Sequence, residues 1–217
     1  FSNQETGMPE GTVHSELLRR PGKLYVLASH FHPDHFNKEV LQWREQRPDI
    51  IYIFSKDILR HRRAQKEDAV WLKKGEEYKD ETLSVRAFGS TDVGVSFLLQ
   101  AGGKKIFHAG DLNNWHWMDE SIEAEWKGAE KNFLHELDDL YAYTPEVDVA
   151  MFPVDPRLGK EYMRGAGQFV TKIKTHIFVP MHFTPEYAKA NAFRDFAEAH
   201  GVRFVSLTHR GQKIEIE

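Results

Sequence analysis

The stretch that most constrains the fold lies near the start of the chain, where the apolar run Leu24-Tyr25-Val26-Leu27-Ala28 leads directly into Ser29-His30-Phe31-His32-Pro33-Asp34-His35-Phe36. Four potential metal ligands fall inside six positions. Where a buried strand runs out into a loop, His30 and His32 lie two apart and can point to the same side. Pro33 then stiffens the turn, so that Asp34 and His35 can be directed at a second, adjacent point. Neutral imidazoles and carboxylates are the donors a zinc-like ion needs, and a random polar loop seldom concentrates them in this way.

After that junction, short apolar runs alternate with amphipathic segments, the pattern of sheets covered by helices. Strands are expected at 24–29, 50–54, 82–87, 95–101, 105–108, 147–152, 176–179, 203–206 and 213–216. Helices are expected at 38–46, 56–63, 121–140, part of 161–174 and 185–200. Gly102-Gly103, between two strand runs, reads as a hairpin turn. Residues 1–23 are polar and turn-rich, with one helical turn expected near Ser15 to Arg20. No internal repeat or linker divides the chain, so the expectation is one domain over residues 1–217.

Composition removes several classes of function. The chain has 29 basic and 33 acidic side chains, a formal charge of -4, and so lacks the electrostatic footprint that neutralises a phosphate backbone. Nucleic acid is therefore disfavoured as a partner. With no cysteine, thiolate zinc sites, disulfides and a cysteine nucleophile are excluded, and any metal must sit on nitrogen and oxygen. No apolar run approaches the roughly 18 to 20 residues of a membrane span, and no basic-then-apolar leader opens the sequence, so the expected location is cytoplasmic.

The string His30-x-His32-x-Asp34-His35 after an apolar strand resembles the signature of the metallo-β-lactamase superfamily. The resemblance extends over most of the chain. It implies an α/β fold, a four-layer αββα sandwich of two mixed sheets flanked by helices, with the metals at one edge of the sheets. It also implies further ligands downstream. Phe107-His108-Ala109-Gly110-Asp111 is an apolar strand ending in Gly and Asp, and the family's matching aspartate bridges two metals. His182, in Phe178-Val179-Pro180-Met181-His182-Phe183, would by itself read as a packed core histidine. Its place after a late strand and before a last helix matches the family's final metal histidine. The implied ligand set is His30, His32, Asp34, His35, Asp111 and His182. The cofactor is a divalent metal, zinc first, with manganese or iron as alternatives.

One segment departs from the pattern. Gly89-Ser90-Thr91-Asp92-Val93-Gly94 aligns with the family's Gly-His-Thr-x-Gly, with Ser90 where a histidine should stand. A hydroxyl is a poor zinc ligand near neutral pH. The first metal position would keep His30 and His32 plus water or a donor from elsewhere, with His108 and His116 the first candidates. Metal stoichiometry is then expected nearer one than two, and Ser90→His is expected to raise it. The family also opens with a β-hairpin, often with a Gly-His-Ser stretch, which nothing in residues 1–23 matches; the expectation is that the sequence begins inside a longer protein.

The implied chemistry is hydrolysis of an ester, lactone or phosphodiester bond by metal-activated water, with Asp34 orienting the water and shuttling its proton. The Gly-Asp after a His-Ala pair is most similar to the branch that includes L-ascorbate-6-phosphate lactonase. Asn113, Asn114, Trp115 and Trp117 are placed to line a pocket for a small molecule, and Arg157 could grip an anionic group on it, though a surface turn at Asp155 to Arg157 is an equal reading. Two competing readings stand beside the hydrolase. One is a metal-binding protein without catalysis, which Ser90 favours; the other is a di-iron redox protein, against which His32 speaks. Oligomeric state is not legible.

Overall fold

In the computed structural model, residues 15–183, 185–209 and 211–215 are described. The chain runs α1 (Ser15–Leu18), β1 (Tyr25–Ala28), α2 (Glu39–Gln42), β2 (Ile51–Ser55), α3 (Lys56–Arg60), β3 (Val70–Leu72), β4 (Glu77–Lys79), β5 (Ser84–Phe88), β6 (Ser96–Ala101) and β7 (Lys104–His108). It continues with α4 (Glu123–Tyr143), β8 (Glu146–Pro153), α5 (Arg164–Lys172), β9 (Lys174–Met181), α6 (Tyr187–Asn191), α7 (Arg194–Ala199) and β10 (Arg203–Phe204). Two sheets form. One has the order β1-β2-β3 with all pairs parallel; the other, mixed, has the order β10-β9-β8-β7-β6-β5-β4. Together with the flanking helices they make the α/β sandwich that the resemblance implied.

Strand periodicity builds the layers. Along β2, Tyr52 and Phe54 face outward into a core with Phe36, Val40 and Ile58 beside α2 and α3, while Ile51 and Ile53 face inward. Along β6, Phe97 and Leu99 meet that inward face, and Leu98 joins the opposite core. That opposite core packs Phe107, Phe152 and Phe178 of the large sheet against Phe133 and Leu137 of α4 and Phe169 of α5. Gly102 and Gly103, at φ 56° and 77°, make the two-residue turn joining β6 to β7, as expected for a hairpin with both central residues left-handed.

Several elements differ from the expectation. β3 and β4 are three-residue strands too short to show a period. The helix expected at 185–200 divides into α6 and α7 at Ala192 and Phe193, which keep right-handed dihedrals but tighten to i→i−3 bonds, the Phe193 amide donating to the Ala190 carbonyl at 3.3 Å. Beside the break the Asn191 side chain donates to the Leu207 carbonyl at 2.7 Å and accepts its amide at 3.1 Å. The strand expected at 203–206 is limited to Arg203–Phe204. Of the one expected at 213–216, residues 213–215 join no ladder, and residue 216 lies outside the described residues. Ile214 instead packs against the cluster of Val149, Ile177 and Val205, partly burying its side chain without strand pairing. Of segment 1–23, residues 1–14 lie outside the described residues, and α1 stands in the expected place. No helix among the described residues is long and apolar enough to cross a membrane.

Topology sets where chemistry can occur. β7, β8 and β9 run parallel, so their C-terminal ends share one edge. β6 is antiparallel to β7, which brings the β5–β6 loop to that edge as well. The end of β1 docks there from the other sheet, the Val95 amide donating to the Ser29 carbonyl at 3.0 Å.

Candidate metal centre

All six residues implied as ligands meet at this edge. Asp111, following β7, lies at the middle: its Oδ2 is 3.3 Å from His30 Nε2, and its Oδ1 is 3.1 Å from His35 Nε2 and 3.4 Å from His182 Nε2. Asp34 Oδ2 is 3.4 Å from His35 Nε2. Two adjacent groups of donors result, with the ligand atoms inside each within 4.8 Å of one another: His30, His32, Asp92 and Asp111 in one, Asp34, His35 and His182 in the other.

The donor set fits a metal. His30 Nε2 and Asp111 Oδ1 are buried and make no hydrogen bond, although imidazoles and carboxylates crowd around them. A buried polar atom without a partner costs about 1–3 kcal/mol, more when charged. Atoms that approach to 3.1–3.4 Å without hydrogen-bond geometry are aimed at a common point, which is how ligands to one ion are disposed.

The suspected replacements for the missing histidine lie elsewhere. His116 is buried with both ring nitrogens used, Nε2 facing the Glu161 carbonyl at 3.1 Å and Nδ1 accepting the Met118 amide at 3.1 Å. His108 accepts the Gly110 amide on Nδ1, and burial pushes its imidazole down to about 4; it belongs to neither donor group. Ser90 Oγ accepts the amide of Asp92 at 3.4 Å. Asp92 was missed from sequence, because alignment directs attention to the position that lost its histidine and not two residues on.

Neighbouring groups hold the histidines in place. The buried Ser29 hydroxyl lies 3.0 Å from His30 Nδ1 and 3.5 Å from His35 Nδ1, so one oxygen orients both rings with Nε2 toward Asp111. His182 Nδ1 is 2.9 Å from Asp155 Oδ2, and Asp155 also accepts Arg157 Nε at 3.0 Å and Nη2 at 2.6 Å. Burial alone would raise the Asp155 carboxyl, but the bonds from His182 and Arg157 outweigh it and hold it at about 2. Burial alone would raise Asp111 also; His30 and His35 instead keep it well below the usual carboxylate range. His182 itself sits at φ 64°, a left-handed backbone that a side chain this large adopts only where surroundings fix it. Ser29→Ala, which removes only the shared oxygen, is expected to weaken metal affinity about 10- to 100-fold with little change in melting temperature, read by competition with a chromogenic chelator.

A cavity of about 340 Å³ opens over the donors, walled by His32, Asp34, Thr91, Trp115, Trp117 and Arg157. The two indoles lie parallel, with centroids 6.4 Å apart, and Trp115 is fastened by its Nε1 donating to the Asp111 carbonyl at 2.8 Å. Trp117 sits at φ 43°, an outlier for a bulky residue. The guanidinium fork of Arg157 is engaged with Asp155, so this arginine serves the His182 side of the site as well as the cavity wall.

A family profile described as the Beta-lactamase superfamily domain matches residues 14–183, a span holding every residue of both donor groups. Among solved structures the chain is similar to Igni18, a metallo hydrolase from the archaeon Ignicoccus hospitalis, at 17% identity, TM-score 0.61, over 89% of this chain and 79% of that one. It is similar to CmlA, a diiron β-hydroxylase from Streptomyces venezuelae, at 14% identity, TM-score 0.57, over 87% of this chain and 44% of that one. A third likeness is to Zn(2+)-bound PqqB from Methylobacterium extorquens, at 15% identity, TM-score 0.52, over 89% and 73%. At these identities the likeness is one of fold. No curated protein matches in sequence.

Proposed function

The chain belongs to the β-lactamase superfamily domain family and has the metallo-β-lactamase fold, and from that premise we propose that it is a metal-dependent hydrolase acting on an ester, lactone or phosphodiester bond of a small molecule. The observation that carries this reading is the convergence of His30, His32, Asp34, His35, Asp111 and His182 on one edge, under an open cavity, around buried donor atoms that have no hydrogen-bond partner. In it these six residues would hold one or two divalent ions. Zinc, manganese and iron all suit nitrogen and oxygen donors.

A divalent ion bound there would lower the pKa of a bound water to about 7 and polarise the scissile carbonyl or phosphoryl oxygen. The chain's own residues do the rest. Asp34, exposed at the cavity wall, orients the water, accepts its proton and delivers it to the leaving group. Asp155 keeps His182 oriented through Nδ1, and Ser29 does the same for His30 and His35. Trp115 and Trp117 offer apolar faces to the substrate body, and Arg157 places positive charge at the wall, which favours an anionic substrate. The narrower likeness to L-ascorbate-6-phosphate lactonase points the same way, toward a lactone or phosphorylated ester.

Metal analysis with a turnover screen tests the proposal. Protein loaded with zinc, manganese or iron should hydrolyse at least one member of a panel of esters, lactones and phosphodiesters, lose that activity after chelation, and recover it on metal return. Bound metal without turnover on any member would favour the non-catalytic reading. Iron with redox-active absorption bands would favour a di-iron redox protein.

A further inference from the structure

We propose that Asp92 is the third side-chain ligand of the first metal position, replacing with a carboxylate the histidine that Ser90 does not supply. The inference rests on the metal-dependent reading above and adds a donor that the family pattern does not contain. Asp92 Oδ2 lies 3.7 Å from His32 Nδ1, and with His30 and Asp111 these two residues form a group whose donor atoms all fall within 4.8 Å of one another. Among these donors is His30 Nε2, fully buried and without a hydrogen-bond partner. An ion pair between His32 and Asp92 would leave that atom orphaned. It would also contribute little, since a pair this exposed contributes at most about 1 kcal/mol.

The loop that carries Asp92 is built to hold it there. On one side Thr91 Oγ1 donates to the Asn113 carbonyl at 2.5 Å and accepts the Asn113 amide at 3.0 Å, tying the loop to the segment that starts at Asp111. On the other, Gly94 lies so close to the first metal motif that a Cβ would fall 2.1 Å from the Ser29 carbonyl oxygen and 2.5 Å from His30 Cβ. Asp92 is therefore held between the two elements that deliver His30 and Asp111. Ser90 has a bracing role, its hydroxyl capping the Asp92 amide.

Two consequences follow for the ion. Beside the shared Asp111, the first position has two imidazoles and one carboxylate where the family pattern has three imidazoles, a harder donor set, so its preference moves from zinc toward manganese or ferrous iron. Counted with Asp34 and Asp111, three carboxylates face the two positions, and the loaded site is one positive charge lower than with a neutral imidazole. The expected stoichiometry becomes two, in place of the value near one that Ser90 alone suggests.

Equilibrium dialysis with zinc and with manganese, plus cobalt(II) absorption spectra, tests this on the whole chain. The unmodified protein should bind two ions. Asp92→Ala should keep one and lose at least about 100-fold in affinity for the other, a loss at or beyond that of removing an outer-shell partner. Asp92→His should retain two while raising zinc over manganese selectivity, which also shows that the loop tolerates substitution. Ser90→His should leave the stoichiometry at two. A single ion in the unmodified protein, or two ions held equally well by Asp92→Ala, would overturn the assignment and leave the hydrolase reading standing. Failure to bind any of the three metals would overturn both.

Discussion

Asp34→Asn is expected to lower turnover by about 10²- to 10⁴-fold, the range that a positioned proton-transfer group supplies, while the protein folds as before. The side chain is 68% exposed, with His35 Nε2 at 3.4 Å and Arg157 on the same cavity wall, so an amide of the same shape removes charge and basicity without disturbing a core. Because the carboxylate also belongs to the second donor group, metal content has to be measured beside the rate. A variant that holds its metal and loses turnover assigns proton transfer to Asp34. If excess metal restores the rate in full, Asp34 is a ligand alone. Undiminished turnover would move the proton to another group.

The second large effect is structural. Gly94→Ala is expected to cost roughly 3–5 kcal/mol and to abolish metal binding at the first position. Gly94 sits at φ 75°, where an L-residue costs about 1–2 kcal/mol. The added methyl would also meet the Ser29 carbonyl at 2.1 Å, a contact with backbone that no rotamer relieves. Either the β5–β6 loop lifts, taking Asp92 with it, or the end of β1 shifts and misaims His30. For a chain of 217 residues this corresponds to a fall in Tm of roughly 10 °C. Gly102→Ala is the matched control: φ is positive there too, at 56°, but nothing lies within 4 Å of the new methyl, so only the conformational cost remains. Equal losses in the two variants, with metal retained, would refute the account.

Much of the candidate site was legible because the fold delivers the implied ligands after the ends of apolar runs, where a change from hydrophobic residues to His or Asp is plain in sequence. β1 before His30, β7 before Asp111 and β9 before His182 all have this form. Asp92 has no such marker, since it sits in a loop of Ser, Thr, Asp and Gly whose composition reads as an ordinary turn. What makes it a candidate donor is tertiary: Thr91 bonded to Asn113, and Gly94 pressed on Ser29. His116 misled for the converse reason. Its position close after Asp111 is right for a ligand, yet two backbone groups already occupy its ring. The short strands β3 and β4 were missed because a three-residue strand is recognised by its partner and not by its own pattern.

Each donor group draws on both sheets, which share no hydrogen-bonded ladder: His30, His32, Asp34 and His35 follow β1, whereas Asp92, Asp111 and His182 hang from the larger sheet. The spacing between those halves is set by what fills the interlayer, chiefly Ile53, Leu72, Val85 and Phe97. Close-packed interiors transmit changes of even one methylene. Side chains that touch no donor therefore act as shims for the distances between donors, and drift in this hydrophobic filling would respace the candidate site while every chemically active residue stayed the same.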